Sequence, residues 1–209
     1  MYHNFFKILL TGGFVVFNLF LTVINTRGQN KHEGVNLAGA EFGDSHLPGT
    51  YNQHYTYPTR AEVDYFILKG MNTFRLPFRW ERLQHDFYGS LNSSELGRIR
   101  NFVKYASSKG AYTILDPHNY ARYYGSVIGS SNVPEDAFAD FWKRVASEFM
   151  HDSLVIFGLM NEPHSMSTEQ WLEGANAAIA AIRITQSDTG TWQWLERSTF
   201  MDKQLVWNT

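Results

Sequence analysis

Arg75, His118 and Glu162 each stand at or just after the end of a short apolar run, 43 and 44 residues apart. The runs before them are Thr73–Leu76, Tyr112–Leu115 and Leu154–Met160, and a fourth, Val35–Ala38, precedes the set. Between them lie longer stretches with helical spacing of apolar residues. Thr59 opens one carrying Ala61, Val63, Phe66, Ile67 and Met71. Ser93 or Ser94 is expected to cap a second, with Leu96, Ile99, Phe102, Val103 and Tyr105, that stops at Gly110. Pro134 at a first-turn position opens a third, and Thr168 with Glu169 and Trp171 starts a fourth that runs through Ile182. Strands alternating with helices require parallel pairing with helical crossovers, which makes the fold class α/β. A βα unit of this pitch, with a polar residue at each strand's C-terminal end, is the pattern of a (β/α)8 TIM barrel, whose active face lies at that end. A doubly wound sheet also alternates, but no glycine-rich turn follows the first strand. Four units are visible, so the chain reads as a barrel truncated to about its first four βα units.

Composition narrows the function classes. Of 209 residues, 18 are Lys or Arg and 20 are Asp or Glu, a net charge of -2 that gives no footprint for nucleic acid. Hydrophobic residues at 44% against 18% charged place the chain among globular proteins. Aromatics at 16% supply flat faces on which sugars or bases can stack. Cysteine is absent, so disulfides, thiol nucleophiles and cysteine-ligated zinc are excluded together.

The first residues have the texture of an export address. Lys7 precedes the apolar run Ile8–Ile24, and small residues at Thr26 and Gly28 follow. This is the pattern of a secretory signal peptide over residues 1–28, with an uncleaved signal anchor as the alternative. Cleavage would leave no membrane segment and a secreted, extracellular or periplasmic, product.

The residues with chemistry cluster at the ends of the apolar runs. Leu154–Glu162 delivers Asn161 and Glu162 at the mouth of the fourth strand, followed by Pro163 and His164. A carboxyl group packed there against Leu, Met and Phe would be partly desolvated, an environment that suits a proton donor near neutral pH. A surface Asn-Glu turn is the plainer alternative. Arg75 inside its apolar run needs a carboxylate partner, supplied either by the barrel mouth or structurally by Asp64 or Glu81. Tyr112–Tyr120 delivers His118, Asn119 and Tyr120 from the third strand. As a metal site His118 lacks local ligands beyond Asp116, so no metal and no other cofactor is expected.

Six stretches together carry a resemblance. They are Gly34–Gly43 (GVNLAGAEFG), Tyr55–Pro58 (YTYP), Gly70–Leu83 (GMNTFRLPFRWERL), Gly110–Gly125 (GAYTILDPHNYARYYG), Phe141–Phe149 (FWKRVASEF) and Phe157–His164 (FGLMNEPH). In order and over residues 34 to about 183, the chain resembles glycoside hydrolase family 5, and within it the secreted endo-β-1,4-glucanases. The resemblance implies that Glu162 is the general acid/base of a retaining hydrolysis of β-glucan. Asn161 would hold a 2-hydroxyl, while Arg75 and His118 would support the nucleophile and the first sugar site. Asn36, Phe42, Trp80, Asn119, Tyr120 and His164 are the expected substrate-binding set, with core packing the competing role for Phe42 and Trp80. A retaining pair needs a second carboxylate about 5 Å away, and the family carries it at the end of the seventh strand. Residues 29–183 therefore read as the N-terminal half of a catalytic domain, inactive alone. A non-catalytic carbohydrate-binding fragment, or a mannanase or xylanase of the same fold, are the alternative functions.

Residues 184–209 leave the pattern. Read one base later, every tryptophan codon becomes glycine, and Met201-Asp202 becomes a codon for tryptophan. With permissible codons, residues 188–208 then resemble the family's fifth strand and its loop. A one-base frameshift between Arg183 and Asp188 is the favoured reading, against a divergent tail packing Trp192, Trp194 and Phe200 as a helix.

Overall fold

A computed structural model describes residues 32–187, so the expected signal peptide and most of the off-pattern tail lie outside the described residues. Four strands form one parallel sheet in the order β1-β2-β3-β6: β1 (Gly34–Asn36), β2 (Thr73–Phe78), β3 (Tyr112–Pro117) and β6 (Val155–Phe157). Helices α1 (Arg60–Leu68), α3 (Ser93–Ser108) and α4 (Glu135–Phe149) make the crossovers, and α5 (Thr168–Ser187) follows β6. This is the expected α/β order. Among the described residues no helix is long and apolar enough to cross a membrane.

The strands are parallel, so their C-terminal ends share one rim. Asn36 pairs in register with Arg75, Arg75 with Ile114, and Ile114 with Ile156; Pro77 pairs with Asp116. Side chains alternate along a strand, so these residues occupy one face. Phe74, Leu76, Phe78, Leu115 and Val155 occupy the other, are almost wholly buried and pack beneath the helices. Pro77 is tolerated in a central strand because β1 has already ended. The Arg75 carbonyl accepts from the Leu37 amide at 3.0 Å, and the position two residues on looks past that edge.

Two expected helix starts are displaced by one residue. Asn92, not Ser93 or Ser94, caps α3, because its side-chain oxygen accepts from the amides of both Ser94 and Glu95. Pro134 is the N-cap of α4 and not a first-turn residue. Thr59 caps α1 with a reciprocal capping box through Glu62. Two small elements had no sequence signal: the one-turn α2 (Trp80–Leu83) and a hairpin of β4 (Arg122–Tyr123) and β5 (Ser126–Val127). Runs this short show neither helical nor alternating periodicity.

Charged residues of α2 and α3 are buried against the long β1–α1 connection. Arg82 is 1% exposed and donates to the carbonyls of Ala40, Phe42, Gly43 and Pro48, with its guanidinium 3.9 Å from the Tyr55 ring centroid. Burial lowers its pKa, yet the guanidinium still meets four carbonyl dipoles. Glu95 accepts from the hydroxyls of Tyr55 at 2.5 Å and Tyr57 at 3.0 Å, and pairs with Arg98.

Ionising either phenol would set a second negative charge beside Glu95. Burial first, and then the contact with Glu95, push both tyrosine pKa values up. The folded-state values exceed the unfolded ones, so this contribution is complete below the unfolded tyrosine pKa and is lost as pH rises beyond it. The urea midpoint is therefore expected to hold between about pH 7 and 9 and to fall above about pH 10. Tyr57→Phe should reduce that alkaline fall, and an identical fall in the variant would contradict the assignment.

Candidate active site

The rim is organised by one arginine. Arg75 projects from the middle of β2, on the face opposite the helices, and needs acceptors there. Its Nη1 donates to Asn36 Oδ1 on β1 at 2.9 Å. Its Nη2 lies 2.7 Å from Asp116 Oδ2 on β3 and donates to Asn161 Oδ1, beyond β6, at 2.5 Å. One guanidinium thus ties together residues from all four strands or the segments that follow them. The carboxylate partner is Asp116, 4% exposed. Neither local alternative takes that place: Asp64 pairs with Lys109 and Tyr105, and Glu81 accepts from Asn119 and the Tyr124 amide.

His118 sits just past β3, its amide bonded to the Phe78 carbonyl at 2.7 Å. Its Nδ1 lies 3.2 Å from Asp116 Oδ2 and 3.5 Å from Arg75 Nη2. Tyr120 follows in the left-handed region, with its ring edge-on to His118 at 5.3 Å and tilted against His164 at 5.5 Å. Arg79 Nη1 donates to the His118 carbonyl at 2.5 Å, while its Nε reaches the Glu41 carbonyl.

Asn161 and Glu162 arrive by a different route from the expected long strand. Only Val155–Phe157 pairs as β6. The chain then stays fastened to β3 through Gly158 N to Leu115 O and Asn161 N to Pro117 O, both at 2.9 Å. From beneath, Trp142 Nε1 donates to the Leu159 carbonyl at 3.1 Å. Asn161 is buried, and Glu162 takes a φ of 38°, strained for a residue with a Cβ. Glu162 is exposed, so the desolvating apolar pocket expected from its neighbours is not formed around it.

The remaining sequence candidates divide. Asn36 and Tyr120 stand with the arginine–histidine group, and His164 is exposed beside Tyr120. Phe42 is 56% exposed, so the competing core role does not hold for it. Trp80 is fully buried among Phe87, Tyr123, Phe138 and Phe141, with Nε1 bonded to Gln84 at 2.9 Å; it is a core residue and not part of a cleft floor. Asn119 is also removed from the binding set. It is 3% exposed and spends its amide on Glu81 and on the Trp80 backbone amide. Among the described residues no group of three or more His, Asp or Glu is placed to hold a metal ion.

The family model of Cellulase (glycosyl hydrolase family 5) matches residues 29–195. The chain belongs to glycosyl hydrolase family 5. A probable endo-beta-1,4-glucanase B of Aspergillus oryzae is 38% identical to it over 175 residues, covering 78% of this chain and 51% of that protein. A crystal structure of an endo-beta-1,4-glucanase from Xanthomonas axonopodis pv. citri is 48% identical with a TM-score of 0.73, over 74% of this chain and 49% of that one. XacCel5A, whose structure was solved in complex with cellopentaose, is 50% identical with the same TM-score, over 74% of this chain and 50% of its own. The chain thus spans about half the length of the relatives it matches. Its four-stranded sheet corresponds to half of the family 5 (β/α)8 barrel.

Asp116 and Arg79 are the residues of this family 5 rim that the sequence alone did not single out. Asp116 was visible only as a weak metal ligand, although a carboxylate ending an apolar run two residues before a histidine is a signal for an ion pair. Replacing Arg75 by Met would leave Asp116 buried without its cation. That should cost on the order of 3 kcal/mol of stability, read from the denaturant midpoint; a loss under about 1 kcal/mol would mean the pair does not anchor the rim.

Proposed function

We propose that this chain carries one side of an endo-β-1,4-glucanase active site that hydrolyses β-1,4-glucan with retention. The observation that supports it best is the convergence of Arg75, Asp116, His118 and Asn161 into one hydrogen-bonded group beside Glu162. In this reading Glu162 protonates the departing glycosidic oxygen and later activates water. Its exposed position lets it reach a bound chain, and the sugar itself would cover the carboxyl and supply desolvation. Asn161 is the adjacent amide for a sugar hydroxyl. Arg75 brings positive charge toward the site where the nucleophile would sit, and His118 adds a polar ring at the first sugar site.

A retaining pair needs its second carboxylate about 5 Å from the first. The resemblance puts that nucleophile on a seventh strand, outside the four strands described. The 209 residues alone are expected to release no reducing sugar from soluble β-glucan, whereas a complete barrel bearing this half should. Glu162→Gln in that complete barrel should lower kcat by at least about a hundredfold. Robust turnover by the 209-residue chain, or an active Gln variant, would defeat the assignment.

The exposed Phe42 ring favours a second, binding role that does not require the nucleophile. Such a surface would hold β-glucan by stacking, and Phe42→Ala should weaken retention on insoluble cellulose several-fold without changing the unfolding midpoint. Glu162→Gln should leave that retention unchanged. The signal-peptide texture of residues 1–28 and the polymeric substrate fit export from the cell, with no metal or organic cofactor needed for two-carboxylate chemistry.

A further inference from the structure

Asp116 Oδ2 is shared. It lies 2.7 Å from Arg75 Nη2 and 3.2 Å from His118 Nδ1, while Nδ1 and Nη2 are themselves 3.5 Å apart. Arginine has donors only, so Nδ1 either accepts from Nη2 or carries the proton and donates to the carboxylate. The two possibilities give opposite ring tautomers. Nη2 is already committed to Asp116 and to Asn161 Oδ1 at 2.5 Å, and its approach to Nδ1 is the longest contact of the group. A carboxylate with 5% side-chain exposure is the stronger acceptor, and a charge-assisted bond to it is the better use of the Nδ1 proton.

We propose that Asp116 is a positioning residue that fixes neutral His118 with its proton on Nδ1, leaving Nε2 as a hydrogen-bond acceptor for a sugar hydroxyl. The sugar part rests on the glucanase reading; the tautomer part rests on the geometry alone. His118 would then accept from substrate at Nε2, and the same carboxylate oxygen that orients the ring also orients Arg75. Recognition by an acceptor selects a ligand hydroxyl that can donate, and it disfavours an ether or acetal oxygen at the same position.

Long-range proton–nitrogen correlation spectra of the 209-residue chain, labelled with nitrogen-15, read the tautomer directly. The His118 signals can be assigned by loss in His118→Gln, and the measurement belongs at about pH 8.5, where an ordinary imidazole is neutral. The expected result is a protonated-type Nδ1 and an unprotonated-type Nε2, with the Nδ1–H form favoured at least about tenfold. In Asp116→Asn the neutral amide loses that preference, and the Nε2–H form should become a substantial fraction. A wild-type ring carrying its proton on Nε2 would overturn the proposal whether or not the variant folds. So would a folded Asp116→Asn variant with an unchanged tautomer. Adding cellopentaose should move the Nε2 resonance upfield as it accepts a hydroxyl. An unmoved Nε2 with cellopentaose bound elsewhere on the chain would sink the sugar part while leaving the tautomer result standing, which separates it from failure of the glucanase reading.

Discussion

A guanidinium placed on the open face of a parallel sheet is the constraint from which the rim follows. Arg75 cannot be left there without acceptors, and each acceptor comes from a different chain segment: Asn36, Asp116 and Asn161. Because the strands are parallel and in register, those segments can meet only at the C-terminal edge. The ion pair therefore does more than offset a burial cost. It sets where the chain leaves β1, β3 and β6, and Glu162 is positioned as the next residue after one of those anchors. The electrostatics and the topology specify the same place.

A second set of contacts supports the first from outside. Arg79 grips the His118 carbonyl, and Trp142 grips the Leu159 carbonyl from α4. Glu81 holds Asn119, whose oxygen in turn receives the Trp80 amide. Arg79 and Trp142 thus act on backbone groups of or near the site residues, and Glu81 on the side chain that follows His118. A left-handed Glu162 is affordable in this setting because Asn161 on one side is bonded through both its amide and its side chain.

Much of this was legible in the sequence. The four apolar runs, their pitch and the polar residues closing them located the strands and the rim, because a strand buried on one face by helices writes its hydrophobicity plainly. The pairing of Arg75 with a carboxylate followed from burial cost, but its identity did not, since register between β2 and β3 is a tertiary fact. Trp80 and Asn119 show the limit most clearly. Both lie beside rim residues in the sequence, yet α2 turns Trp80 into the core against Tyr123 and α4, and Asn119 is then recruited to satisfy the Trp80 amide and Glu81. Short elements such as α2 and the β4–β5 hairpin are too brief to carry a period, so the residues they redirect cannot be assigned to a face in advance. Glu162 marks another limit: apolar neighbours in sequence did not become apolar neighbours in space.

The connection that carries Phe42 is held by Arg82 through main-chain oxygens alone. Such an anchor is blind to side-chain identity. Phe42, exposed and held only through its main chain, can therefore change while the backbone keeps its path, whereas Ala40, Glu41 and Gly43 are fixed by burial, by the bond to the Gly39 amide and by a left-handed backbone. That separates the evolution of what the loop touches from the maintenance of where it runs.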